Sequence, residues 1–262
     1  MLQPHTLALL QDKIQTVVSD TSSLILVGPI KLPVNLDGDT VIFQWYCWLP
    51  VEDPEEREAC RTASAESLIR RLSSLNLAES QQSSVLVYGD FEHAQDSLIR
   101  MHSICHTGDI FGSKRCDCGY QLHQSMKMMV QHGSGALFYL ANHEGRGIGL
   151  FSKAMAYILQ ENGLDTVEAN LELGFQDDTR SYADAIHILQ RLRQLPVSLI
   201  TNNPKKLDAL RSAGLNVKDR VPLWGDQSEY NSHYLQTKID RSGHFSDPHH
   251  GHDPLQTMLQ AH

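Results

Sequence analysis

The chain predicts an α/β protein, a layered mixed sheet with flanking helices and a β-rich N-terminal portion, from three observations. Apolar runs such as VLVYGD (85–90), ALFYL (136–140) and VSLIT (197–201) alternate, from residue 85 onward, with stretches whose apolar residues recur at helical spacing. Glycine and proline stand where helices should stop and start. The 262 residues are 41% hydrophobic, enough for one substantial core or for one domain with a smaller N-terminal addition.

The elements follow in order. Residues 24–48 read as short apolar runs around a hairpin-like Asp37-Gly38-Asp39 turn, hence strands. The stretch 51–84 reads as an insertion: an acidic loop, VEDPEEREAC, then a surface helix over Ala65–Leu75 and a polar tail, ESQQSS. Residues 119–133 carry Leu122, Met126, Met129 and Val130 at helical spacing before Gly133, with the methionines as core packing. GLFSKAMAYILQENG (149–163) is a helix closed by Gly163, and SYADAIHILQRLRQL is another. Asn203-Pro204 gives an N-cap followed by proline in the first turn. The organisation expected is 1–84 as an N-terminal portion, 85–240 as the catalytic domain and 241–262 as a flexible tail whose His244, His249, His250 and His252 are solvated.

A formal net charge of −9 argues against a protein that neutralises many phosphates of a nucleic acid, but leaves room for a small anion held by local cations. No apolar run approaches the ~20 residues of a membrane span, so a cytoplasmic protein is expected. Five cysteines in a reducing compartment point to metal or catalysis rather than to a disulfide framework.

Three of these cysteines crowd into CHTGDIFGSKRCDC, residues 105–118. The C-x10-C-x-C spacing lacks the paired C-x2-C knuckles of a structural zinc module, and three thiolates plus one open position is the count of a catalytic zinc. Cys105, Cys116 and Cys118 are therefore candidate ligands; buried thiols, or a closed site completed by His102 or His106, are the alternatives. Cys47 and Cys60 look incidental.

Three further stretches carry chemistry. In NHEGRGIGLFSKAMAY (142–157), glycines at 145, 147 and 149 let amides approach a phosphate at a helix start, beside Glu144 and Arg146, while missing the dinucleotide pattern G-x-G-x-x-G. In LITNNPKKLDAL (199–210), lysines at 205 and 206 oppose the helix dipole unless an anion sits there. In GFQDDTRSYADA (174–185), Asp177 or Asp178 is placed to cap the helix containing Arg180.

RMHSICHTGDIFGSKRCDCGYQL (100–122), EGRGIGL (144–150), AYILQENGLDTVEAN (156–170), the D-x-R at 178–180 and TNNPKK (201–206) together resemble GTP cyclohydrolase II, over roughly residues 85–240. The resemblance implies a homodimer using Zn2+ and Mg2+ that converts GTP into formate, pyrophosphate and 2,5-diamino-6-(5-phosphoribosylamino)pyrimidin-4(3H)-one, the opening step of riboflavin biosynthesis. It implies that Cys105, Cys116 and Cys118 hold the zinc, with water as fourth ligand directed at C8 of guanine. GTP contacts would come from Arg100, His102 and Ser103, from Gln121, from Glu144, Gly145 and Arg146, and from Thr166, Thr201 and Lys206, with Tyr157 near the ring chemistry. For pyrophosphate release the resemblance assigns the nucleophile to Arg180 and the proton acceptor to Asp178. A guanidinium almost never deprotonates, so stabilising the charge on the α-phosphate is the other role open to Arg180.

The chain departs from the family's pattern at Ile104, usually glutamate, at Asn142-His143, usually Arg-Gln and expected to alter contacts around the base, and at Thr179, usually glutamate. A relative acting on another purine or pyrimidine nucleotide is the second reading. A zinc-stabilised nucleic-acid module is disfavoured by the charge, and a non-catalytic nucleotide sensor by the presence of every thiol and of Arg180.

Overall fold

The computed structural model describes residues 3–246 apart from 20, 21, 52, 73, 74 and 226. Its strands are β1 (Ile14–Val18), β2 (Ser23–Leu36), β3 (Asp39–Val51), β4 (Ser83–Tyr88), β5 (Leu98–Ser103), β6 (Gly135–Leu140), β7 (Val197–Ile200) and β8 (Val217–Val221). They form one mixed sheet in the order β1-β2-β3-β4-β6-β5-β7-β8. The first four strands and β6 pair antiparallel, whereas β6, β5, β7 and β8 run parallel. Histidines 249, 250 and 252 of the tail lie outside the described residues.

The runs expected over 24–48 merge into two long strands joined by the two-residue turn Asp37-Gly38. Both turn residues have positive φ, 54° and 98°, and Asn35 Oδ1 accepts the Gly38 N–H at 2.8 Å, the primed-turn geometry that matches strand twist. Pro29 and Pro33 fall where β1 no longer pairs with β2, so no ladder donor is missed on that side.

The helices are α1 (Pro4–Gln11), α2 (Pro54–Thr62), α3 (Ala65–Leu72), α4 (Cys118–His132), α5 (Leu150–Glu161), α6 (Thr166–Glu172), α7 (Ala183–Leu192), α8 (Pro204–Ser212) and α9 (Ser232–Ser242). The acidic stretch read as a loop is α2: Asp53 accepts the Glu56 N–H at 2.9 Å, Pro54 opens the helix, and Glu55 and Glu56 sit where its dipole favours anions. Cys60 on α2 packs with Ile25, Val51 and Leu68 in a small satellite core.

The main core has two faces. Met126, Met128 and Met129 of α4 pack with Leu98, Leu137 and Ile200 on one, while α7 and α8 cover Ile99, Met101, Phe138 and Leu199 on the other. The connection from β5 to β6 therefore covers one face and those through α7 and α8 cover the other. The topology switches at β5, and ligands of open α/β sheets bind at the carboxyl ends of strands at such a switch.

Candidate active site

A cavity opens at the carboxyl ends of β5, β6 and β7, lined by Ser103, by Glu144 and by Thr201 just beyond or at those ends. Alternation along β5 sends Leu98, Arg100 and His102 to the α4 side, so a buried arginine and histidine end up beneath the cavity. Arg100 donates from Nη2 to Gln121 Oε1 at 2.6 Å and from Nε to His102 Nδ1 at 3.3 Å. His102 Nε2 lies 3.1 Å from Asp109 Oδ2. Burial, against the pull of Asp109, lowers the His102 pKa, so the ring is neutral and donates to that carboxylate.

Beyond β5 the chain makes a single π-type turn over His106–Ile110, which folds Cys105 back onto the start of α4. The Sγ atoms of Cys105, Cys116 and Cys118 all lie within 4.8 Å of one another, with Cys105 and Cys116 at 3.5 Å. Tetrahedral thiolates at ~2.3 Å from a zinc ion would stand ~3.8 Å apart, so the trio fits that ion. Gly108 is required here: a Cβ would sit 2.9 Å from Cys116 Sγ and 3.1 Å from Cys105 Sγ. Hydrogen bonds from Cys116 and Cys118, with Lys153 nearby, hold the Cys105 thiol far below its ordinary pKa, and the bond to Cys105 pushes Cys116 up to about 12. One thiolate shared by three sulfurs is a donor set that a divalent cation would complete.

Glu144 is buried, accepting the His106 N–H at 2.7 Å and Lys153 Nζ at 2.6 Å. Lys153 Nζ also lies 3.2 Å from Cys105 Sγ, bridging the glutamate and the thiols. Tyr157, one turn along α5, meets Thr107 Oγ1 at 3.3 Å and carries Arg115 over its ring at 4.7 Å. Gly145 and Arg146 follow Glu144 in left-handed backbone, Arg146 at φ 67°, and its guanidinium pairs with Asp177.

The capping expected for Asp177 or Asp178 does not occur. The helix begins only at Ala183, after Tyr182, so both carboxylates sit on the preceding loop and pair with arginines instead. Arg180 also donates to Ser103 Oγ at 3.2 Å, and Ser103 meets His143 Nδ1 at 3.2 Å. His143, one of the departures from the family pattern, is thus an underpinning of Arg180, with Nε2 on Ser181 O at 2.9 Å; Asn142 beside it is exposed.

The Asn203 N-cap is as expected, accepting the Lys205 N–H at 2.9 Å. Lys206 Nζ donates to Met101 O at 2.6 Å, and burial, with Arg100 and Arg180 nearby, lowers its pKa. Thr166 opens α6, and it and Thr201 line the cavity. Every residue to which the resemblance gives a metal, nucleotide or catalytic role borders this one cavity, whereas His106, Gly147, Gly149 and Asp177 do not line it. Others that border it were not named: Lys153, Asn170, and Tyr234, Lys238 and Ser242 of α9. Lys153 was within reach, as a lysine in the first turn of a helix, the same signal that marks Lys206. Asn170 Nδ2 is buried and has no hydrogen-bond partner among the described residues, a donor that a ligand in the cavity would satisfy.

An α/β sheet with three thiols placed to hold a metal ion and a cation-lined cavity at its switch point has the layout of an enzyme site. The sequence model of the family GTP cyclohydrolase II matches residues 72–222. A riboflavin biosynthesis protein RibBA from Phocaeicola vulgatus is 50% identical over 159 residues, 61% of this chain and 39% of that protein. A GTP cyclohydrolase-2 from Colwellia psychrerythraea is 48% identical over 63% of this chain and 81% of its own length, and one from Actinobacillus succinogenes 47% identical over 61% and 73%. The chain belongs to the GTP cyclohydrolase II family, and its match spans about two fifths of the length of the RibBA relatives.

Proposed function

We propose that this protein opens the imidazole ring of GTP, releasing formate and pyrophosphate and leaving 2,5-diamino-6-(5-phosphoribosylamino)pyrimidin-4(3H)-one. The observation that carries the reading is the lining of one cavity by the thiol trio and by four arginines and four lysines, against Glu144 and Asp178 as the acids among the described residues, in a chain of net charge −9. Such a local excess of cations suits a triphosphate.

Cys105, Cys116 and Cys118 would hold Zn2+, which when bound supplies a water acidified to a pKa near ~7 for attack at C8. Mg2+ would accompany the triphosphate. Glu144 accepts a base amine, the Arg100, Lys206 and Arg180 side chains take phosphate oxygens, and Tyr157 faces the thiol side of the cavity. Arg180 acts electrostatically: burial is the largest influence and works against its charge, but the hydrogen bonds and charge of Asp178 together with nearby Tyr182 and Tyr234 outweigh it and raise the pKa above the ordinary value. Asp178, despite burial, is held down at about 2 by Arg180 and stays ionised.

A homodimer is supported by apolar side chains exposed near the site, Phe111 at 70% and Phe151 at 80% among them. Among the described residues no helix is long and apolar enough to cross a membrane, and a cytoplasmic enzyme acting on a small molecule rather than on nucleic acid fits the reading.

The test is to incubate zinc-loaded protein with GTP and Mg2+ and assay formate together with a new pyrimidine absorbance. Formate from another nucleotide but none from GTP would select the second reading, a relative with a different substrate, in keeping with Ile104 on the cavity wall where the family usually has glutamate.

A further inference from the structure

Beyond the span matched to the family lies α9, SHYLQTKIDRS, which buries only Leu235 and Thr237. So little apolar burial does not by itself hold a helix in place. Polar contacts do. Arg146 Nη2 donates to Ser242 Oγ at 3.1 Å, and Arg241 Nε lies 3.4 Å from Asp165 Oδ2 at the start of α6. Just past the helix, the Phe245 N–H donates to Asn202 O at 2.9 Å. Tyr234, Lys238 and Ser242 recur every four residues, one stripe of the helix, and that stripe lines the cavity.

The fourth contact differs from the others because it is buried. Lys238 Nζ lies 2.7 Å from Asp117 Oδ1, with the aspartate side chain fully enclosed and the lysine 13% exposed. Asp117 sits in sequence between two of the thiols. Its other oxygen accepts Gln121 Nε2 at 2.5 Å, and Gln121 Oε1 accepts Arg100 Nη2 at 2.6 Å. The backbone at Gly225 packs so closely that a Cβ there would collide with the Asp117 side chain. A carboxylate enclosed in this way needs its cation, because an unpaired buried charge takes up water or a proton, or moves.

We infer that Lys238 is a positioning residue for the metal centre: by pairing with Asp117 it fixes the Cys116–Cys118 segment and aims Gln121 and Arg100, which makes α9 an obligatory wall of the site. Residues beyond the metal ligands that orient them govern metal affinity by about 10–100-fold when removed. Lys238 acts through Asp117 rather than on the triphosphate. The kinetic consequences rest on the GTP cyclohydrolase reading; the metal affinity does not.

The test uses the full chain as wild type, Lys238→Arg, Lys238→Met and Asp117→Asn/Lys238→Met. Zn2+ affinity is measured by chelator competition, α9 and residues 116–121 are followed by amide hydrogen exchange, and KM and kcat are measured with GTP. Lys238→Met is expected to weaken Zn2+ binding by about tenfold or more and to speed exchange in both segments. Lys238→Arg keeps the charge and most of the affinity. The double variant, with no unpaired carboxylate, recovers Zn2+ affinity to within about threefold of wild type, and this comparison stands even if Lys238→Met fails to fold. Unchanged Zn2+ affinity in Lys238→Met, or a double variant whose Zn2+ affinity stays ten or more times below wild type, overturns the inference. A raised KM with intact metal binding also overturns it, in favour of a direct phosphate contact. If wild type releases no formate from GTP while the affinities follow the expected pattern, the substrate reading fails and the inference holds.

Discussion

Arg180 grips Asp178 through two parallel hydrogen bonds, Nε to Oδ1 at 2.8 Å and Nη2 to Oδ2 at 2.7 Å, with both side chains largely buried. The fork leaves Nη1 for Ser103 and holds the guanidinium plane in one orientation at the cavity wall. Lysine keeps the charge and loses the fork. Arg180→Lys is therefore expected to lower kcat for pyrophosphate release by about 10²-fold, the loss seen when one preorganised donor is removed from a transition state. Because the charge on Arg180 is locked in by Asp178, mass spectrometry of the quenched wild-type enzyme should find no nucleotide joined to Arg180. A covalent adduct there would refute the electrostatic role.

The His143 ring, buried between Ser103 and Ser181, is pushed down to about 4 from 6.5, by burial first, then by Arg180 and Lys206 against the opposing pull of the Ser181 carbonyl. Its folded pKa is below its unfolded one, so the unfolded chain binds the extra proton between those values. The stability that neutral His143 supplies is full above pH 6.5 and is lost as pH falls toward 4. His143→Gln removes the titration while keeping a hydrogen-bonding side chain, and the expected outcome is a flatter unfolding curve across that window. Denaturant midpoints for both proteins from pH 4 to 7 check it; identical slopes would show that His143 does not set the acid limb.

Much of the site was legible because its chemistry is local in sequence. The thiols fall within fourteen positions of one another, Glu144 and Arg146 stand in one glycine-rich turn, and Asn203-Pro204-Lys205-Lys206 announces its helix by capping chemistry alone. β5 was not legible. LIRMHS places Arg100 and His102 where alternation demands buried residues, and a buried arginine reads as a break unless its partners are known. Those partners are Gln121, and Asp109 beyond His102, supplied by the next turn and helix. The role of α9 was hidden for the same reason: Lys238 reads as a solvated charge until folding brings it to Asp117, 121 residues earlier in the chain. Long-range charge pairing leaves no periodic trace. Even the acidic start of α2 misled, since acids favourable at a helix N-terminus have the same composition as a polar loop.

Removing one thiol separates a catalytic metal from a structural one. Cys116→Ser is expected to lose bound zinc and to stop formate release, while far-UV circular dichroism stays native and GTP still binds, because the side chains proposed to take the phosphates, Arg100, Lys206 and Arg180, lie on β5, on α8 and on the loop before α7 rather than on the Cys116 loop. Chelation of wild type should mimic the variant and be reversed by added zinc. Loss of fold on either treatment would show that the metal stabilises the structure, as in small zinc modules.

Asn170 offers a test in which stability and affinity move in opposite directions. Its Nδ2 is buried on α6 against the cavity without a hydrogen-bond partner among the described residues, an arrangement that costs about 1–3 kcal/mol of stability. Asn170→Leu removes the unsatisfied donor at similar volume, so the melting temperature should stay level or rise. If the donor serves the nucleotide, the same change raises KM for GTP by about tenfold, the worth of one hydrogen bond. A drop in melting temperature together with an unchanged KM would mean that the amide serves packing and that no ligand atom meets it.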